Sequence, residues 1–159
     1  MGKDLTVCFT GHRNIPRNHA AVLSSVLESE IVEQIKAGAR IFKAGGAIGF
    51  DTVAALKVLE LKDQYPEIEL HLYLPCKDQT RGWNEVCVRT YNYCLEHADK
   101  VIYISEKYYS GCMYERDRKL VDGSDVCIAY CTQTHGGTYY TCSHAKKNGV
   151  ELINIAKKM

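Results

Sequence analysis

The sequence predicts a single α/β domain: a doubly wound, mainly parallel sheet of about six strands with helices on both faces. Two observations carry that reading. Short apolar runs alternate with longer amphipathic segments, the pattern of strands joined by helical crossovers rather than hairpins. Three of those runs stop at glycines that open the next segment, Gly11, Gly45-Gly46 and Gly136-Gly137. In open α/β sheets ligands sit outside the carboxyl ends of the strands, so three such turns mark one edge of the sheet as the working edge.

The elements follow in order. Leu5–Thr10 reads as a buried strand, and His19–Ala37 as a helix with Val22, Val26, Ile31 and Ile35 on one side and Gly38 beyond its end. Ala39–Lys43 is the second strand. After Gly45-Gly46 a helix runs from about Phe50 to Tyr65, where Pro66 helps to stop it. Ile68–Leu74 is the third strand, closed by Pro75. Trp83–His97 reads as a helix with Trp83, Val86, Tyr91 and Leu95 available for packing. Lys100–Ser105 is the fourth strand, Met113–Asp122 a short helix, Asp125–Cys131 the fifth strand, Thr138–Asn148 a helix and Val150–Ile155 the sixth strand. The polar stretch Cys76–Asn84, with Lys77, Asp78, Gln79 and Arg81, is the expected lid over the mouth.

Bulk properties narrow the function classes. The chain has 159 residues, one domain's worth, with no linker, repeat or low-complexity tract. Lys and Arg number 20 against 19 Asp and Glu, so the net charge of +1 gives no nucleic-acid footprint, and nucleic acid is not an expected partner. No apolar run approaches a membrane span and no signal-peptide layout opens the chain, so a cytoplasmic location and no membrane are expected. Eight cysteines without any C-x-x-C are read as reduced thiols. Cys8, Cys127 and Cys131 fall in expected strands; Cys112 and Cys142 fall near ligand loops, where one could be reactive. Six histidines make no metal spacing, so no metal and no cofactor are expected.

Three segments carry candidate chemistry. Thr10-Gly11-His12-Arg13 brings a hydroxyl, an imidazole and a guanidinium to the end of the first strand, as one wall of an anion pocket. Gly45-Gly46-Ala47-Ile48-Gly49-Phe50-Asp51 opens a helix whose first amides and dipole favour a phosphate. Asp51 would accept from a ribose hydroxyl or cap the helix; both readings stay open. His135-Gly136-Gly137-Thr138 repeats the arrangement after strand five, with an ordinary helix N-cap at Thr138 as the plain alternative. Arg116 and Arg118, on the helix before strand five, could grip a phosphate with two bonds or form a solvated charged face.

These segments, in this order, resemble the SLOG superfamily, the group joining the Smf/DprA and LOG proteins, and within it the small stand-alone YpsA-like branch of bacteria and their phages. The resemblance spans nearly the whole chain. It implies a Rossmann-like sheet that binds nucleotides or nucleotide-derived signals. By position it assigns Thr10, Gly11, His12, Arg13, Gly45, Gly46, Asp51, Arg116, Gly136, Gly137 and Thr138 to the pocket; Gly49 and Arg118 join them on the reading of the residues. LOG enzymes, which remove a phosphoribosyl group with an Arg and a Glu, carry Pro-Gly-Gly-x-Gly-Thr-x-x-Glu. The corresponding stretch here, His135 to Ser143, has no glutamate.

The functional expectation is a sensor or sequestering protein for a nucleotide-derived small molecule, ADP-ribose-like or a cyclic nucleotide. The alternative is an enzyme cleaving an N-glycosidic bond of a nucleotide, drawing on Asp51, Glu115 or Asp117 with His12 or His135. A third reading is an interaction module built on its eleven tyrosines, and a homo-oligomer is expected.

Overall fold

The computed structural model describes residues 4–159. Six strands form one sheet: β1 (Leu5–Gly11), β2 (Ala39–Ala44), β3 (Glu69–Cys76), β4 (Lys100–Ser105), β5 (Val126–Tyr130) and β6 (Glu151–Asn154). Between them lie α1 (Arg17–Lys36), α2 (Phe50–Leu61), α3 (Glu85–His97), α4 (Cys112–Val121) and α5 (Gly136–Lys147), and a 3-10 turn (Ile155–Lys158) follows β6. The spatial order is β4-β3-β2-β1-β5-β6, and every pairing is parallel.

That order places the switch point between β1 and β5. The chain winds outward from β1 to β4, crosses back, and resumes on the other side of β1. Crossovers of one hand then put α1, α2 and α3 on one face and α4 and α5 on the other. Side-chain alternation along the central strands separates two cores accordingly. Val7 and Phe9 of β1 pack with Val126, Ile128 and Tyr130 of β5 against Leu23, Leu27, Ile31 and the α2 residues Phe50, Ala54 and Val58. Cys8, Cys127 and Ala129 point the other way, onto Leu120, Val121, Cys142 and Ala145. Cys8 and Cys127 are register partners, and small side chains there let α4 and α5 lie close to the sheet.

Several boundaries differ from the sequence reading for physical reasons. α1 begins directly after Pro16, which sets the entry angle, and its buried stripe is Leu23, Leu27, Ile31 and Ile35. Val22, expected on that stripe, is 41% exposed. α5 begins at Gly136, so the glycine pair lies inside its first turn and Thr138 is its third residue rather than its cap. β3 runs through Pro75 to Cys76. β5 ends at Tyr130, leaving Cys131 half-buried beyond it, and all eight cysteines are free. Cys112 and Cys142, the candidate reactive thiols, are both buried, and burial pushes the Cys142 thiol up to about 12. Trp83 precedes α3 and packs edge-on against Tyr91 with ring centroids 5.5 Å apart, whereas Val86 is 63% exposed. Asn84 caps α3 by accepting from the Cys87 amide at 2.8 Å. Among the described residues no helix is long and apolar enough to cross a membrane.

Candidate functional site

The carboxyl ends of β1 and β5 lie side by side, with Gly11 in register with Tyr130. The loops that leave them lead to α1 on one face and α5 on the other, the topology that opens a crevice. His12 fastens the two loops: its Nε2 accepts from the Thr132 amide at 2.8 Å. Burial lowers the His12 pKa below the usual imidazole value, and nearby His135 pushes it the same way. His12 is therefore held neutral, as an acceptor at Nε2 must be.

Aromatic rings form the floor. Tyr130 is fully buried at the end of β5, stacked on Phe50 at 6.1 Å and met edge-on by His12 at 5.7 Å and His19 at 5.6 Å. Its hydroxyl lies 2.6 Å from His19 Nδ1, so the phenol keeps a partner in the core. Gly11 admits this stack, because a Cβ there would run into the Phe50 ring.

The second glycine segment is packed from both sides. Gly49 adopts φ +94°, and a Cβ there would meet the Arg13 carbonyl. The Phe50 amide, first of α2, donates to the His12 carbonyl at 3.1 Å. This helix terminus therefore binds the β1 loop itself. The close approach fixes the backbone of His12 and Arg13 and leaves the Arg13 side chain exposed at the rim.

Beneath Gly45 lies a buried charged cluster. Asp51 and Arg116 are each 6% exposed. Arg116 donates from Nη1 to the Gly45 carbonyl and from Nε to Asp117 at 2.8 Å, while its Nη2 lies 3.9 Å from the Met113 sulfur. All three guanidinium nitrogens are thus engaged with protein atoms. Asp51 accepts from the Ala47 amide at 3.3 Å, bracing the glycine turn from inside. Burial raises Asp51 to about 6, with Arg116 opposing the shift and Asp117 adding to it. Burial likewise raises Asp117, against the pull of Arg116. Lys43 anchors the helix that carries this arginine. Its buried ammonium donates to the carbonyls of Lys119, Leu120 and Asp122 at 3.3, 3.4 and 2.8 Å, capping the end of α4.

The third segment stands open. Gly136, Gly137 and His135 are exposed, no side chain caps the α5 N-terminus, and Asp117 Oδ2 lies 4.0 Å from where a Gly137 Cβ would sit. Thr138 is half-buried on the first turn. Arg118 is exposed and donates to the Tyr140 hydroxyl at 3.1 Å, across the α4–α5 seam. Thr10, at the end of β1, is buried.

The structure thus brings Thr10–Arg13 together with the 131–135 loop that leads into α5. It sets Gly45, Asp51 and Arg116 in a layer beneath, and puts Arg118 on the α4–α5 seam. Sequence reasoning missed Thr132, Tyr130 and His19, whose roles come from pairings more than a hundred residues apart. The expected lid is a run of tight turns, Asp78 to Arg81 and Thr80 to Trp83, pinned where the Tyr108 amide donates to Asp78 at 3.2 Å. Among the described residues no group of three His, Cys, Asp or Glu could hold a metal ion.

Comparison with known proteins agrees with this architecture. The YpsA family model, described as the YspA SLOG family, matches residues 7–155. A UPF0398 protein of Halalkalibacterium halodurans is 30% identical over 135 residues, covering 82% of this chain and 71% of its own. A UPF0398 protein of Bacillus thuringiensis is 27% identical over 130 residues, covering 80% and 71%. Among solved structures, DNA processing protein A from Helicobacter pylori, described for its single-stranded DNA binding mode, superposes with TM-score 0.67 at 20% identity. The Streptococcus pneumoniae DNA processing protein A gives 0.68 at 15%. These matches span 93% and 94% of this chain but only 63% and 49% of theirs, so the likeness is one of fold.

Proposed function

The chain belongs to the YspA SLOG family, and from that premise we propose that it binds a nucleotide or nucleotide-derived signalling molecule in the β1–β5 crevice, as a sensor or sequestering protein. One observation carries the reading. His12 ties the two loops of the switch point together, with the exposed Arg13 on one and the uncapped Gly136-Gly137-Thr138 terminus of α5 on the other. A guanidinium and free helix amides on adjacent loops are the donors a phosphate requires. In this reading Thr10, Gly11, His12, Arg13, Gly136, Gly137 and Thr138 line the crevice. Gly45, Gly46, Gly49, Asp51 and Arg116 hold its wall in place, and Arg118 lies outside it.

A strand of DNA offers the same phosphates and bases, and the Helicobacter pylori structure of this fold is described as binding single-stranded DNA. That neighbour removes the support for setting nucleic acid aside on net charge alone, so an oligonucleotide belongs in the ligand panel. The test is a thermal-shift series with AMP, ADP-ribose, cyclic AMP and an oligothymidylate, alongside mass spectrometry of small molecules released on denaturing the natively purified protein. The reading expects one mononucleotide-type ligand to raise Tm by several degrees. It is contradicted if none does and no nucleotide is released.

A second reading, cleavage of an N-glycosidic bond, is favoured by one feature: Asp51 and Asp117 flank Arg116, both with raised pKa, and Asp117 lies under Gly137. Raised carboxyl pKa values suit proton transfer near neutrality. Release of free base from a nucleotide panel, lost in Asp117→Asn, would establish it; intact nucleotides after prolonged incubation would end it.

A further inference from the structure

Two buried polar side chains near the carboxyl end of β3 have no partner. Gln79, 8% exposed, leaves both its amide nitrogen and its amide oxygen unbonded, and the Tyr91 hydroxyl is likewise unpaired. They converge on the glycine turn. A Cβ at Gly46 would lie 3.5 Å from Gln79 Oε1 and 3.5 Å from Tyr91 Cε1, and would run into Leu74. Buried amides and phenols are nearly always hydrogen-bonded, so three orphaned atoms at one place call for an explanation.

A cavity adjoins Gln79. It has a volume of about 260 Å³ and is lined by Cys76, Asp78, Gln79, Arg81, Tyr108 and Met113. That is below the range of roughly 300–1,000 Å³ for drug-sized ligands and suits one planar ring better than a whole nucleotide. Met113 and Tyr108 give it apolar walls, Asp78 and Arg81 charged ones, and Gln79 a single primary amide, a lining that suits a flat, polar-edged group. A side-chain amide offers a donor and an acceptor side by side, the pattern that pairs with two adjacent positions on a base edge. The Gln79 amide faces the Gly46 turn, and reading a ligand requires that it rotate into the cavity it lines.

The position fits the crevice. β3 stands two strands from β1 and three from β5, and neighbouring strands lie about 4.8 Å apart, so β3 is about 10 Å from β1 and about 14 Å from β5. Gly46, with φ +75° and no side chain, lets Leu74, Gln79 and Tyr91 pack closely against the turn at the end of β2, between β3 and β1.

We infer that the cavity beside Gln79 is a recognition site for a planar edge bearing a donor next to an acceptor, a nucleobase or an aromatic carboxamide, with Gln79 as the reading residue and Tyr91 as a second polar contact. This rests on the nucleotide reading of the β1–β5 crevice and extends it: the crevice takes the phosphate and Gln79 takes the ring. The 77–84 segment then selects among ligands rather than merely covering them.

The test is calorimetric titration of AMP, nicotinamide mononucleotide and ribose 5-phosphate into wild type, Gln79→Leu and Tyr91→Phe. Gln79→Leu removes two orphaned atoms, so it should fold with unchanged or higher Tm. The inference expects at least a tenfold loss of affinity in Gln79→Leu for the ring-bearing ligand and a smaller loss in Tyr91→Phe, with ribose 5-phosphate unaffected. A loss for AMP identifies a base, and a loss for nicotinamide mononucleotide alone a carboxamide. If the ring-bearing ligands and ribose 5-phosphate bind wild type and Gln79→Leu alike, the ring site is overturned while the phosphate crevice stands. If none of the three binds wild type, the ring site is overturned, and the phosphate crevice stands or falls on the wider nucleotide panel above.

Discussion

His12 and Thr132, 120 residues apart, are joined by a hydrogen bond of 2.8 Å from the Thr132 amide to the His12 imidazole. It couples the loops of the two strands at which the sheet reverses direction, and it exists only while Nε2 carries no proton.

The first prediction concerns pH. Burial depresses the His12 pKa in the folded protein below its value of 6.5 in the unfolded chain. The unfolded state therefore binds the proton more tightly, and stability rises with pH across this window. The contribution is fully present above 6.5 and is lost as pH falls through the folded value. Thermal melts from pH 8 to 5 should show this loss in wild type and a flatter profile in His12→Asn. Identical profiles would mean that the imidazole does not hold the loops together.

Asp51 has the opposite sign. Its folded pKa of about 6 lies above the unfolded value of 3.8, so the folded state binds the proton more tightly. That contribution is complete below 3.8 and is lost as pH rises through about 6. Asp51→Asn should keep the brace to Ala47 and remove this component, stabilising the protein relative to wild type more at pH 7.5 than at pH 4.5. An equal effect at both values would show Asp51 to be an ordinary carboxylate.

Arg13 and Arg116 should separate cleanly. Arg116→Ala leaves the buried Asp51 without its cation, which costs about 3–5 kcal/mol and should show as a large fall in Tm. Arg13→Ala, at an exposed rim position, should change stability by less than about 0.5 kcal/mol. Comparable losses in the two variants would contradict the division between wall and rim.

The glycines should divide likewise. Gly49→Ala forces a Cβ at φ +94° into the Arg13 carbonyl and should cost about 3 kcal/mol or more. Gly137→Ala meets only Asp117 at 4.0 Å inside a helix, so it should stabilise by up to about 1 kcal/mol. The same Gly137→Ala variant should weaken nucleotide binding, because its Cβ stands where a phosphate would approach the α5 amides.

The fold was legible in the sequence because the central strands β1, β2 and β5 are largely buried on both faces and read as apolar runs, two of them ending at glycines. Positions within helices were less so. Val22 and Leu23 are both apolar, and it is Leu23, one turn before Leu27, that faces the sheet while Val22 is exposed. The depth of Arg116 was not legible, because a sequence shows charge but not burial; α4 turns it inward beneath Gly45. The lid segment was visible as a polar stretch, yet nothing local reveals that Gln79 within it is buried without a partner. That depends on Gly46 and Tyr91, which arrive from other parts of the chain.

The most direct test of the central claim is calorimetry of the mononucleotide that gives the largest thermal shift, titrated into wild type, Arg13→Ala and Gly137→Ala at one salt concentration. The account predicts a single site per chain in wild type and at least a tenfold weaker Kd in both variants, with Tm preserved. Equal affinity in all three proteins would contradict it, because the ligand would then be held somewhere other than the β1–β5 crevice.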